Sequence, residues 1–369
     1  MLYGEPETGI EIVESFGLYE AEYAAIRKGV GILDMPQRGF VAVGGTDRTS
    51  FLGAMLTNKM DGLGSTDGAQ GPVRRTFLLN RQGRIEADMI ACSFDDDTTY
   101  LELDRCDAPK AVEELRKYLF SEDVVIEDVS GQYCHIVLHG PHAIGLFEHV
   151  TGEPVGQLDP MHGQGTKAKG FLGVYRRDEA GTVGLHLLVQ REAVKDLYQQ
   201  FADAVGGLVP QVEGGTRRPF TGRGIGWYAY NTARIEAGTP FYHIDFGPDS
   251  LPHEAGGQAM AEAVSFTKGC YVGQEIVARM ENLGHPKRVL AGLQFEDAHM
   301  PIAGSQVLDA DDEATIIGAV TSSALSPLNG NTAIGLAMMK WGKHRADIPV
   351  RVPAEGQLVS AQTHSLGIL

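Results

Sequence analysis

The sequence predicts a mixed α+β protein that ends in an all-β domain, and three observations predict it. Amphipathic helices alternate with short apolar runs over most of the chain, the order of strands and helices repeats in outline, and from Arg288 onward the helical patterns stop. At 369 residues the chain exceeds what one compact core holds, so two or three domains are expected.

GILDMPQRGFVAVGG, from Gly31 to Gly45, reads as a loop feeding the alternating strand FVAV, and TDRTSFLGAML as a helix capped by Thr46 or Asp47. TFLLNRQGRIEADMIACSF is two strands about an Asn-Arg-Gln-Gly turn. TTYLELD is a third, with Tyr100 and Glu102 alternating against Leu101 and Leu103. In APKAVEELRKYLF the residues Val112, Leu115, Tyr118 and Leu119 fall on one helical face. The outline then recurs as VVIEDVS, the strand YCHIVLHG, the helix HAIGLFEHV, the strand VGLHLLVQ and the helix REAVKDLYQQFADAV. Antiparallel strands with helices on one side make an α+β domain. VLAGLQFE, SQVLDAD, TIIGAVTSSAL, TAIGLAMM and LVSAQTH, divided by Gly, Pro and Asn turns, predict a small terminal barrel or sandwich.

Hydrophobic residues make up 43% and charged residues 21% of the chain, a globular profile. A net charge of -17 without a basic run excludes nucleic acid and anionic membrane as general partners. The first residues show no basic and apolar leader, and no stretch approaches the roughly 18 to 20 apolar residues that span a bilayer. A cytoplasmic protein is expected. Cys92, Cys106, Cys134 and Cys270 are far apart and form no CxxC pair, which points to a reducing compartment.

Two tempting motifs have plain readings. In CHIVLHGPH, period two sends His135, Val137 and His139 to one face and Cys134, Ile136 and Leu138 to the other, so no metal site is expected. GRGIGW lacks the third glycine of a dinucleotide fingerprint and reads as a flexible loop. Asp88 interrupts the apolar ADMIACSF; it is either a strand-edge carboxylate facing water or a group that orients an amine or moves a proton. Cys270, in KGCYVGQE, precedes the helical pattern QEIVARMENL, in which Ile276 or Val277, Met280 and Leu283 share a face. A helix N-terminus and Lys268 both favour a thiolate, while most unpaired cysteines are small buried hydrophobes.

KGCYVGQEIVAR followed by GHPKRVLAGL closely resembles the signature of the YgfZ-type proteins, folate-binding relatives of the glycine-cleavage T-protein, an aminomethyltransferase. GRIEADMIA, VLHGPHA, ARIEAGTPFYHID and the closing PIAGSQVL to AIGLAMM agree in the family's order, so the resemblance spans the chain. It implies a three-domain T-protein-like cloverleaf, two interleaved α+β domains plus a C-terminal small β-barrel, with tetrahydrofolate or another reduced folate as cofactor. Its boundaries replace those of the linear reading: 1–49 with 131–248, 50–130 with 249–286, and the barrel over 287–369. Asp88, Arg234 and Tyr242 match positions that line the family's folate site. Lys268 and Tyr271 of the motif join them as cofactor-binding residues, and Cys270 and Asp88 are the catalytic candidates.

The chain also departs from the T-protein pattern. His186 stands where a Glu grips the pterin amino group, with a longer loop after it, and a neutral imidazole does not copy a carboxylate's bidentate grip. The family's Asn is here Asp104 or Arg105, its Asp-Asp is Ala87-Asp88, and its basic turn is Pro353-Ala354-Glu355-Gly356. The resemblance implies a folate-binding protein acting in iron-sulfur enzyme assembly or repair, with iron-sulfur enzymes or assembly factors as partners. The alternatives are an aminomethyltransferase or folate-dependent demethylase, and a scaffold that has lost the ligand.

Overall fold

The computed structural model describes residues 1–3, 9–63, 70–206 and 220–368. It divides into two compact units, one of Met1–Gly53, Met60–Arg75 and Met89–Tyr230, the other of Ala54–Lys59, Thr76–Asp88 and Asn231–Leu369. The chain leaves the first unit within the strand Arg74–Leu79 and re-enters it within Ile85–Cys92. Among the described residues no helix is long and apolar enough to cross a membrane.

The first unit is built on a seven-stranded sheet in the order Gly222–Gly224, Val30–Asp34, Tyr133–His139, Gly184–Gln190, Phe171–Arg176, His162–Gly165 and Gly71–Pro72. Only the first pair is parallel. One face carries Ile32, Ile136, Leu138 and Leu187 and is covered by Leu146 and Phe147 of the helix Ala143–Thr151 and Phe201 of Val194–Gly206. Period-two alternation turns His135 and His186 to the opposite face, where Tyr175 and Leu188 pack with Phe40, Ile90 and Tyr100 of a second sheet.

That sheet runs Arg74–Leu79, Ile85–Cys92, Thr98–Asp104, Arg38–Gly44 and Val125–Asp128. TTYLELD is the strand Thr98–Asp104, and Tyr100, Leu101, Glu102 and Leu103 are all buried, because this strand is covered on both sides. Two corrections concern glycine. GILD, read as a loop, is the strand Val30–Asp34, and the supposed loop GRGIGW holds the parallel strand Gly222–Gly224 beside it. A Cβ on Gly222 would meet the Val30 carbonyl oxygen at 2.2 Å, so the pairing requires glycine there.

In the second unit the predicted barrel is a closed six-stranded one: Arg288–Phe295, Thr332–Lys340, Ile316–Ser326, Gln306–Asp309, Pro349–Ala354 and Gln357–His364. Leu293, Phe295, Val307, Val320, Met339, Val352 and Val359 fill its interior. The strand Pro349–Ala354 was not foreseen. Its prolines lie outside the ladder with Gln306–Asp309, which uses only Val350 and Arg351, so no N–H is missed there. The helices Gly257–Ala263 and Gln274–Leu283 pack Ala259, Met260 and Val277 into a second core with Phe77, Tyr242, Tyr271 and Leu290.

Candidate functional site

The KGCYVGQE segment is held by backbone geometry on one side and a buried ring on the other. Gly273 caps the helix Gln274–Leu283 at φ 81°, and a Cβ there would lie 2.6 Å from the Asn80 carbonyl oxygen of the Asn-Arg-Gln-Gly turn. Within that turn Gly83 makes the reciprocal approach, its missing Cβ 2.9 Å from Ile276. Tyr271 is 7% exposed in the core, and burial pushes its hydroxyl up to about 12. The two anchors leave Cys270 between them, exposed. None of the four cysteines is in a disulfide.

The Lys268 ammonium donates to the Leu56 carbonyl at 2.5 Å and lies 4.8 Å over the Tyr271 ring. Leu283, which shares a helix face with Met280, is 85% exposed, since the helix ends there and Gly284 turns the chain away. Lys287 and Arg279 are exposed, and Arg288 pairs with Glu254 at 3.3 Å.

Six of the seven nominated residues lie in the second unit. Asp88 is half-buried on the strand Ile85–Cys92, between the buried Ala87 and Met89. Tyr242 is 7% exposed and donates its hydroxyl to the Ile85 carbonyl at 2.9 Å. Arg234, taken to line the folate site, is 0% exposed. Its guanidinium reaches Asp245 Oδ2 at 2.6 Å, the Thr239 carbonyl at 3.1 Å, Ser322 Oγ at 2.7 Å and Asn231 Oδ1 at 2.9 Å. Four of its five N–H groups are thus consumed inside the protein, and a ligand contact from Arg234 does not follow from this geometry. It ties the helix Trp227–Glu236 to the barrel strand Ile316–Ser326.

His186 belongs to the first unit, 2% exposed, in a buried polar chain. Glu102 pairs with Arg38 and accepts from the Tyr175 hydroxyl; His135 lies 3.4 Å from it and shares a 3.0 Å hydrogen bond with His186. Tyr175 stacks on His186 at 4.5 Å. Glu179 follows, 3.7 Å from His186, 3.9 Å from His139 and 3.2 Å from Arg177, and accepts from the Tyr230 hydroxyl. Burial works to raise both carboxyls, but Arg38 with His135 holds Glu102 well below the usual range, and His186 with Arg177 holds Glu179 at about 2. Burial pushes His186 down to about 3 and His139 to about 4. The expectation that His186 faces a ligand is corrected: its ring is enclosed by this chain. The longer loop expected after the His186 strand falls partly on 207–219, outside the described residues.

Sequence reasoning passed over Glu102, Glu179, Tyr175 and Tyr230. The available signal was Glu102, His135, His139 and His186, each inside an apolar strand, which demands partners when both faces are covered; Glu179, in a turn, gave none.

For the tetrahydrofolate that the resemblance implies, the residues fit in part. Asp88 and Lys268 are half-buried and carry the complementary charges for ring N–H groups and a carboxylate tail. Four of the five Arg234 N–H groups, His186 Nδ1 and the Tyr242 hydroxyl are engaged within the protein.

The fold is that of the glycine-cleavage T-proteins. The glycine cleavage system aminomethyltransferase T from Bartonella henselae superposes with a TM-score of 0.80 over 95% of this chain and 89% of its own, at 21% identity. The chain belongs to the family of the GCVT N-terminal domain, whose model matches residues 5–268. It is 28% identical over 351 residues to an aminomethyltransferase of Staphylococcus carnosus (strain TM300), covering 94% of this chain and 89% of the relative. It is 27% identical over 356 residues to one of Rippkaea orientalis (strain PCC 8801 / RF-1), covering 95% and 89%.

Proposed function

We propose that this protein binds a reduced folate and works as a YgfZ-type protein in the assembly or repair of iron-sulfur enzymes, with Cys270 as its functional thiol. The observation that carries this reading is the placement of Cys270: exposed, while Lys268, Tyr271 and Gly273 around it are pinned. A packing cysteine would be inside. In this reading Asp88 accepts from a ring N–H of the folate and Lys268 pairs with its carboxylate tail, and the chain works as three domains bounded at 1–49 with 131–248, 50–130 with 249–286, and 287–369. Four unpaired cysteines suit a reducing compartment, the cytoplasm.

A second reading is aminomethyl transfer to tetrahydrofolate, and the observation that favours it is the near full-length match to two aminomethyltransferases. There Asp88 would orient the folate nitrogen that receives the one-carbon group.

Titration with tetrahydrofolate tests the common part. A rise in melting temperature with a calorimetric heat is expected, both weakened by Asp88→Asn; a folded protein giving neither at millimolar folate overturns both readings. Lipoylated carrier protein separates them: formation of methylene-tetrahydrofolate at about 1 per second or faster establishes the transferase and overturns the first.

A further inference from the structure

The second unit holds a cleft of about 910 Å³ that none of the seven nominated residues lines. Its floor is apolar, with Met260, Val264 and Leu290 contributed by the underlying core. Its wall is a ladder of rings: His285 lies 4.9 Å from Trp341 with planes 4° apart, and His344 is 4.6 Å from Trp341. Trp341 is 42% exposed. An apolar floor with a few polar edges, at this size, is what small-molecule sites have in common.

Charge narrows the class of occupant. The lining has no lysine or arginine, and its one carboxylate, Glu281, is 3.2 Å from His253 Nε2. Burial pushes His253 and His344 down, against Glu281 in the first case and together with Arg345 in the second, so both imidazoles are neutral near pH 7. An anion would find no lysine or arginine among the lining residues and would face Glu281. A flat ring can extend the stack, and His253 Nδ1, which is buried and accepts no hydrogen bond, Gln258 and Ser365 supply polar partners at the edge of the floor.

We propose that this cleft binds a planar nitrogen heterocycle bearing no phosphate or carboxylate, its ring laid against the His285 and Trp341 stack. The site is separate from the folate reading and does not depend on it, since the carboxylates of a folate tail have no partner among these residues.

Trp341 is one of two tryptophans, so the full chain with Trp227→Phe reports on it alone. Adenine is the probe and adenosine 5′-monophosphate its anionic counterpart. Saturable quenching by adenine is expected, with the monophosphate at least about tenfold weaker. His285→Ala should weaken adenine on the order of tenfold, the scale of one lost stacking partner. By calorimetry, Trp341→Phe should keep binding and Trp341→Ser lose it, which separates loss of the ring from loss of the fold. Adenine affinity should be the same with saturating tetrahydrofolate present. Absence of quenching and heat with adenine, equal affinity for the monophosphate, undiminished binding by Trp341→Ser, or competition with tetrahydrofolate would each overturn the proposal.

Discussion

His135 Nε2 and His186 Nδ1 share one hydrogen bond of 3.0 Å, and each ring turns its other nitrogen toward a carboxylate, Glu102 at 3.4 Å and Glu179 at 3.7 Å. The line from Glu102 to Glu179 has three positions for a proton. The structure leaves both outer nitrogens, His135 Nδ1 and His186 Nε2, without a hydrogen bond. Arg38 on Glu102 and Arg177 on Glu179 offset the buried negative charge and make the arrangement tolerable.

Acid should therefore destabilise the fold through this chain. His139 protonates in the folded state only near 4 and His186 near 3, against 6.5 for a free imidazole, so the unfolded chain binds more protons between those values. Their stabilisation is complete above about pH 6.5 and is lost as pH falls toward 4 and 3. Glu179, at about 2 against 4.5, adds the same sign, present above 4.5 and lost toward 2. Each extra proton taken up by the unfolded state contributes about 1.4 kcal/mol per pH unit. Urea midpoints should fall steeply from about pH 6.5 to about 4.5, and His139→Gln should flatten the slope. A midpoint constant over that range would contradict this account.

What the sequence disclosed about this fold depended on how local the cause was. Thr98–Asp104 and Ala108–Arg116 were legible because side-chain period and helix face are properties of a few neighbouring residues. Gly222–Gly224 was not, since its pairing with Val30–Asp34 rests on close backbone approach, which has no apolar signature. The placement of His135 and His139 on one strand face followed from period two, whereas Glu102 could not be joined to them without the sheets being stacked, nor Glu179 without the hairpin that pairs Phe171–Arg176 with Gly184–Gln190. Arg234 was visible only as a matched motif position. Its burial is set by Ser322, 88 residues away, and by Asp245. The interleaved course of the chain came from resemblance and not from any residue pattern.

Arg234 should behave as a structural hub. Removing the guanidinium leaves Asp245 buried without its charge partner, and Arg234→Ala should lower stability by about 3–5 kcal/mol in urea unfolding. Arg234→Lys should recover only part of this, because one ammonium cannot reach Asp245, Ser322, Asn231 and the Thr239 carbonyl together. The double change Arg234→Ala with Asp245→Asn should cost less than the two single losses added. A loss below about 1 kcal/mol for Arg234→Ala would assign it a dispensable contact instead.

The two glycines of KGCYVGQE should differ sharply. Gly273→Ala forces a side chain into a left-handed conformation and toward the Asn80 carbonyl oxygen at 2.6 Å; about 1–2 kcal/mol is lost to the backbone alone, and the clash adds to it. Gly269 has no atom within 4 Å of its would-be Cβ and is not at positive φ, so Gly269→Ala should stay within about 0.5 kcal/mol. Thermal melts of the two variants side by side decide it, and equal losses would mean that the turn is not held by Gly273.

Cys270 should be the fastest thiol to alkylate in the native protein. Cys92 is fully buried, and burial with the Glu102 charge pushes its thiol well up. Burial raises the Cys134 thiol, with Arg191 opposing and Asp34 adding to the rise, while burial and then Asp104 raise Cys106 although it is exposed. Cys270 is exposed within the KGCYVGQE segment. Iodoacetamide followed by peptide mapping should show modification in the order Cys270, Cys106, Cys134 and, only on unfolding, Cys92. Because its side chain packs against nothing in the core, Cys270→Ser should change stability by no more than about 0.5 kcal/mol. The same variant should fail to complement a strain with an iron-sulfur enzyme defect. Full complementation by Cys270→Ser would remove the thiol from the function, and alkylation of Cys270 only after unfolding would make it a packing residue.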